Sequence, residues 1–294
     1  MSTRRYRRRF GDRSDGRLLR SLPAFSSFIP FIMPTRNDAL NLYSDEVEIS
    51  SADRWLRAQR VEGYKGIGFL HIIIAAYIRC IAFYPGLNRF VAGRRIYAAN
   101  DVAIVMAVKR SLTIDGSETM IKVHFDPSDT VYDVYRKMNE AIDEIKSGEE
   151  DNSTEEAANK FKHLPRFIFR MALGVLRMLD YFGILPKSLI EVSPFHGSMI
   201  ITDLGSLGIK PVYHHIYNFG TLPVFIAFGA KRKKIEVNRH GQLEENKYLD
   251  FRATLDERIV DGHYHAACLK KLKYFIAHPE ELAVPPAKVE EDIF

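Results

Sequence analysis

Cysteine is nearly absent. The 294 residues contain two, Cys80 and Cys268, each in an apolar context. Two thiols do not make a disulfide framework, and the expected setting is reducing and cytoplasmic. An uninterrupted apolar run long enough to cross a bilayer is also missing. Phe69–Phe83 stops at Tyr84-Pro85-Gly86, short of the ~20 residues a spanning helix needs. The longer stretch Phe161–Pro186 is broken by Arg166, Arg170, Arg177 and Asp180, each costing a few kcal/mol at a bilayer centre. The first residues are rich in arginine but lack an apolar segment and a small-residue cleavage site, so no secretory signal is expected. The body lacks an excess of either charge. Eight of the first 20 residues are arginine, against Asp12 and Asp15, while the remainder carries 34 basic and 35 acidic residues. The net charge of +5 therefore belongs to the N-terminal stretch. Nucleic-acid binding by a folded basic face is not expected, and an acidic partner for the arginines is.

What is present is ordinary for a globular protein: 46% hydrophobic and 27% charged residues, enough to bury a large core. Residues 1–25 read as a basic arm and 26–294 as one domain. Leu40–Ile49 partly alternates, suggesting a strand, and Ser51–Gln59 starts a helix with Ser50 or Ser51 as cap. Residues 69–84 predict a buried helix stopped by Pro85-Gly86. Arg95–Asn100, Val102–Lys109 and Met120–Phe125 read as strands. Apolar residues at 131, 134, 138, 142 and 145 predict a helix, and 146–160 an acidic, polar loop. A second helix over 164–182 places Arg166, Arg170 and Arg177 on one face. It either packs by its apolar side with the arginines outward or lies on a membrane surface. Ser198–Thr202 and Leu222–Gly229 read as buried strands. Ile235–Val237 and Tyr248–Leu255 flank a hairpin turn at His240-Gly241. A last helix covers about 261–277.

Four segments, in order, resemble the catalytic domain of the dihydrolipoyl acyltransferases of 2-oxo acid dehydrogenase complexes. They are the helix and Pro85-Gly86-Leu87-Asn88 (69–91), the strand pair 96–111, MIITDLGSLGI (199–209), and the closing stretch 253–282 with Asp256-Glu257-Arg258 and Asp261-Gly262. The resemblance covers most of 35–282. It implies an α/β (α+β) fold of the chloramphenicol acetyltransferase-like class, a mixed, mostly antiparallel sheet flanked by helices. It also implies assembly as a trimer or a multiple of three, with coenzyme A as acyl carrier and an active site between subunits. In that family a motif histidine is the general base that activates a thiol. A strand hydroxyl stabilises the oxyanion, and an Asp-Gly pair shapes the turn after the base.

Carried over by position, the hydroxyl is Thr202, the arginine Arg258 and the pair Asp261-Gly262. The base position holds Glu257. A carboxylic acid and a thiol differ by roughly 4 pKa units, about 6 kcal/mol uphill for full proton transfer; for histidine the gap is roughly 2 units. Either burial raises Glu257 enough to serve as base, or an arginine such as Arg258 holds it as an anion. Two readings follow: a family member whose catalysis is lost or altered in favour of an oligomeric or binding role, a pseudoenzyme, or a working acyltransferase with Glu257 as base. His263 and His265 read as surface or interface residues. His214-His215 have no metal-ligand neighbours at suitable spacing, so they read as loop packing and no metal is expected. The stretch 112–125 keeps Asp115-Gly116 but departs from the family pattern, and the 164–182 helix is an insertion. No lipoyl-lysine motif is found, so a lipoyl group would come from another chain.

Overall fold

A computed structural model of the chain describes residues 8–109, 118–147 and 165–294. Asp115-Gly116 and most of the acidic stretch 146–160 lie outside the described residues. The frame is a six-stranded sheet in the order β2-β9-β8-β7-β5-β6. Its strands are β2 (Leu40–Glu48), β5 (Val102–Lys109), β6 (Glu118–Phe125), β7 (Met199–Asp203), β8 (Val224–Val237) and β9 (Leu243–Asp256). The β5/β7 and β7/β8 pairs are parallel and the other three antiparallel, so the sheet is mixed and mostly antiparallel.

One face of this sheet carries four helices: α2 (Ser50–Val61), α3 (Phe69–Phe83), α4 (Val131–Ser147) and α7 (Gly262–Ala277). Helix α3 has no polar face, and every residue in it except Leu70 and Phe83 is buried. Alternation along the strands decides which residues it meets. Ile104, Met106, Met199, Ile201, Ile226 and Ala253 turn toward the helices. Val105, Ile200 and Phe225 turn to the other face, where Ile216 and Leu222 of the β7–β8 connection cover them. Two polar side chains of α3 reach carbonyls far along the chain, while His71 Nε2 and Arg79 Nε have no hydrogen-bond partner among the described residues. Tyr77 donates to the Ser198 carbonyl at 3.0 Å, and Arg79 to the Glu281 carbonyl at 2.9 Å.

Several boundaries differ from the sequence reading. Ser50 does not cap α2: the N-cap is Ile49, without a side-chain bond. The Ser50 hydroxyl instead accepts from the Lys247 backbone at 3.0 Å, tying α2 to β9. The strands read at 222–229, 235–237 and 248–255 are two long strands of one hairpin, paired from Val224↔Leu255 to Val237↔Leu243.

The N-terminal stretch is more than a polar arm. Gly16–Leu18 is a strand, β1, in a second sheet of order β1-β4-β3 with Arg89–Ala92 (β3) and Arg95–Ala99 (β4). Arg13 is buried. It bonds Asp15 at 2.8 Å and reaches 167 residues along the chain to Asp180, at 2.7 Å. Asp180 closes the helix α5 (Arg166–Tyr181) and also meets His196 Nε2 at 3.3 Å, whose Nδ1 lies 2.8 Å from the Ser193 hydroxyl. These contacts have no signature in periodicity, which is why an arm rich in arginine reads as solvated. Arg13→Ala leaves Asp180 without its buried cation. It should cost about 3 kcal/mol, a fall in Tm of roughly 6–12 °C for a chain of this size, measurable by calorimetry. Burial alone would raise the Asp180 carboxyl, but the bond from His196 and the Arg13 charge bring it down to about 2. The folded value lies below the unfolded one. The stabilisation is therefore fully present above about pH 4 and is lost as pH falls toward 2. The Tm difference between wild type and Arg13→Ala should shrink over that range.

Candidate active site

Strand β9 delivers Asp256 to the end of the sheet, where its side chain is fully buried. Arg258, two residues on, turns back on it. Its Nε lies 2.8 Å from Oδ1, its Nη2 2.7 Å from Oδ2, and its backbone N–H donates to Oδ1 at 3.1 Å. A second buried arginine, Arg36, places Nε 3.8 Å from the same carboxylate. Arg36 also donates to the Val91 carbonyl at 2.8 Å. Burial pulls Arg36 down to about 10, with the Arg258 charge adding to this and Asp256 opposing it. Charge-assisted bonds of this kind fix geometry strongly in a dry site. Between the two locked residues stands Glu257, half-buried in the turn, its backbone N–H donating to the Ala39 carbonyl at 2.9 Å. Arg258 is therefore not the partner of Glu257, as one reading of the sequence had it. Among the described residues the Glu257 carboxylate has no ionic or hydrogen-bond partner.

Asp261 is the N-cap of α7, accepting from the Tyr264 backbone at 2.8 Å. It satisfies a free N–H of the first turn. Tyr264 then binds the first motif to the last, because its hydroxyl accepts from the Gly86 backbone at 2.9 Å. A Cβ at Gly86 would lie 2.8 Å from Val260 and 3.0 Å from the Tyr264 ring, so the 85–88 turn needs glycine to approach. His263 is exposed, but His265 is buried, contrary to the surface expectation. Its position in the first turns of α7 faces the core, and burial pulls it down to about 4.

Thr202 lies in β7, opposite Ala227 of β8. It is half-exposed, and its hydroxyl has no partner among the described residues. The turn after it is tight: Asp203 accepts from the Ser206 backbone at 3.0 Å, and a Cβ at Gly205 would sit 2.6 Å from the Gly229 carbonyl. Burial raises the Asp203 carboxyl, partly offset by its bonds to the Ser206 and Gly205 backbone. Thr202 and Glu257 do not meet within one chain. Ala227 pairs with Arg252, so two strand spacings and a further run from 252 to 257 separate them, about 20 Å in all. They stand toward opposite ends of the sheet. The connection that leaves Thr202 runs back toward Glu257's turn, since the Tyr217 carbonyl accepts from Arg36 at 3.4 Å. Leu207, Ile209, Val212 and Tyr213 of this connection are exposed.

His214 stacks on Phe225 at 4.3 Å and His215 meets Tyr217 edge-on, so both pack in this loop. No cluster of three or more metal-ligating side chains occurs among the described residues. One polar site escaped the sequence reading. A cavity of about 260 Å³ is lined by Asp101, Lys122, His124, Glu191 and His196. His124 lies 2.6 Å from Asp101 and 3.1 Å from Glu191, and the bond to Asp101 raises its pKa although burial opposes it. Burial takes Lys122 down to about 8, with Glu191 and Asp101 opposing. These five residues come from three separate segments, and no spacing in the sequence announces them.

Residues 189–284 match the family of 2-oxoacid dehydrogenases acyltransferase (catalytic domain). No curated protein sequence matches the chain. Among solved structures, a probable dihydrolipoamide acetyltransferase from Listeria monocytogenes superposes with a TM-score of 0.58 at 13% identity, over 90% of this chain and 94% of that one. The dihydrolipoamide acetyltransferase of Azotobacter vinelandii, studied for the role of a serine, a histidine and an asparagine in its catalytic mechanism, gives 0.57 at 14%, over 90% and 93%. A chloramphenicol acetyltransferase gives 0.53 at 12%, over 89% and 99%. Residues 189–284 are thus similar to the catalytic domain of the 2-oxoacid dehydrogenases acyltransferase family, and the chain shares the chloramphenicol acetyltransferase-like fold of the solved cores.

Proposed function

We propose that the protein is an acyltransferase-family core in which thiol-directed acyl transfer has been lost. It assembles as a trimer, or a multiple of three, in the cytoplasm, and the assembled scaffold is its working form. The observation that carries this reading is the turn 256–258. Carried over by position, the family's base falls at Glu257, in a turn held by the Asp256–Arg258 ion pair. A carboxylate there faces a thiol roughly 4 pKa units less acidic than its own acid.

The same geometry supports assembly. Thr202 and Glu257, about 20 Å apart by strand spacing, share a site only if Thr202 of one copy faces Glu257 of another. The exposed apolar run from Leu207 to Tyr213 lies along the connection between the two positions, and covering it with a second copy removes it from water. Light scattering at micromolar concentration should give three chains per particle, or a multiple. Ile209→Asp with Val212→Asp should shift the particle to the monomer; a wild-type monomer would refute the assembly.

A second reading has its own support. The Glu257 carboxylate and the Thr202 hydroxyl are both uncommitted among the described residues, as they would be in a working acyltransferase moving an acyl group from coenzyme A with Glu257 as base. The two readings separate on whether wild-type protein transfers acetyl from acetyl-coenzyme A to dihydrolipoamide.

A further inference from the structure

Helix α5 is apolar on two sides. Ala172, Leu173, Leu176 and Leu179 form a half-buried side. Phe167, Met171, Val175 and Met178, spaced four, four and three residues apart, form a second stripe on the outside. These side chains are 66%, 66%, 48% and 52% exposed. The expectation that the helix packs by its apolar side with arginine outward therefore covers only half of it. Arg166, Arg170 and Arg177 run along one border of the outer stripe at helical spacing, and none has an acidic partner among the described residues. Asp180, the helix's one acid, is turned inward to Arg13.

The surface continues past the helix end. Gly93 and Arg94, both at positive φ, form the β3–β4 turn, and a Cβ at Gly93 would lie 2.2 Å from the Tyr181 carbonyl. The turn is thus pressed onto the end of α5. On its other side Arg94 lies over the Phe31 ring at 5.6 Å. Phe31 belongs to α1 (Ala24–Ile32), an uncharged helix with Phe25, Phe28, Phe31 and Ile32 all exposed. Between α1 and the end of α5 opens a groove of about 1130 Å³ whose lining includes Arg9, Arg94 and Arg95, while Arg13 and Arg20 of the same lining are ion-paired to Asp180 and Asp12.

We propose that α1, the β3–β4 turn and the outer face of α5 form a docking surface for an anionic lipid membrane. Aromatic and aliphatic side chains with a bordering row of arginines suit the boundary between headgroups and acyl chains. The arginine-lined groove suits the phosphate groups of the same lipids. A second copy of this chain is a poorer match, because it would bring arginine against arginine. No helix among the described residues is long and apolar enough to cross a membrane, so attachment is to the surface. The proposal is independent of whether acyl transfer occurs.

The test is co-sedimentation of the full chain with phosphatidylcholine vesicles, with and without about 30% phosphatidylglycerol. Binding is expected with the anionic vesicles, weak with phosphatidylcholine alone, and reduced by salt. Arg166→Gln, Arg170→Gln and Arg177→Gln together should lower partitioning by on the order of 100-fold, at about fivefold per basic residue. Phe167→Ser with Met171→Ser should lower it on both vesicle types. These positions are exposed, so the far-ultraviolet spectrum and Tm should not change. Arg94→Gln with Arg95→Gln is a second test away from α5. Failure of the wild type to bind anionic vesicles, or variants that bind as well as wild type, would overturn the proposal. So would α5 variants that leave vesicle binding intact but dissociate the assembly, since that would make the surface an interface between copies.

Discussion

Asp256→Ala should be the most damaging single change in the chain, with an expected loss of about 3–5 kcal/mol. The side chains of Asp256 and Arg258 are 0% and 2% exposed, and Arg36 is also buried. Removing the carboxylate leaves two guanidinium groups out of water with one fewer anion between them. Breaking such a set from one side costs far more than the set contributes in total, because the remaining charges stay desolvated. Asp256→Asn keeps the shape and an acceptor oxygen but not the charge, so it should fall between wild type and alanine. Urea denaturation at neutral pH checks the order. A loss below about 1 kcal/mol for Asp256→Ala would mean that Arg36 and Arg258 find water or other acceptors when the acid is gone. Arg258→Ala should also be costly, since it removes the two side-chain bonds that hold Asp256 and a third to the Met33 carbonyl, at 3.1 Å. The same substitutions would disorganise the turn that presents Glu257, so they cannot serve as probes of chemistry.

The parts of the fold legible in sequence were those set by local pattern. The largely apolar run at 69–83 marks the central helix, the alternation at 40–49 and 120–125 falls on two strands, and the last helix, expected at about 261–277, spans Gly262–Ala277. The motif residues lie in a turn (Glu257), at a helix N-cap (Asp261) and on a central strand (Thr202). What sequence could not show was anything made by contacts across the chain. Arg13 and Asp180 are 167 residues apart, and a buried arginine looks the same in a sequence as a solvated one. His265 was misplaced because two histidines near a helix start carry no sign of which faces the core. The polar cavity around Lys122 and His124 draws on segments far apart in sequence. The outer stripe of α5 was hidden differently: a helix apolar on two sides gives the same pattern whether one face or both are covered. Arg258 was a possible partner for Glu257 by adjacency, and geometry gave it to Asp256 instead.

The second large effect concerns Glu257 itself. A positioned general base is worth roughly 10²–10⁴ in rate, so its presence or absence is well within reach of an assay. If the chemistry is lost, Glu257→Gln should fold normally, since the carboxylate has no partner among the described residues and glutamine keeps its shape. Glu257→His places an imidazole on a turn still held by Asp256 and Arg258. Turnover above wild type in that variant would show that Thr202 and the coenzyme A path are still usable, and no gain would show that the loss extends beyond the base. The measurement that bears most directly on the account is the rate of acetyl transfer from acetyl-coenzyme A to dihydrolipoamide by the wild-type assembly, with Glu257→Gln alongside. The account predicts no transfer above background for either protein. Wild-type turnover that falls by 10² or more on Glu257→Gln would contradict it and establish Glu257 as a working base.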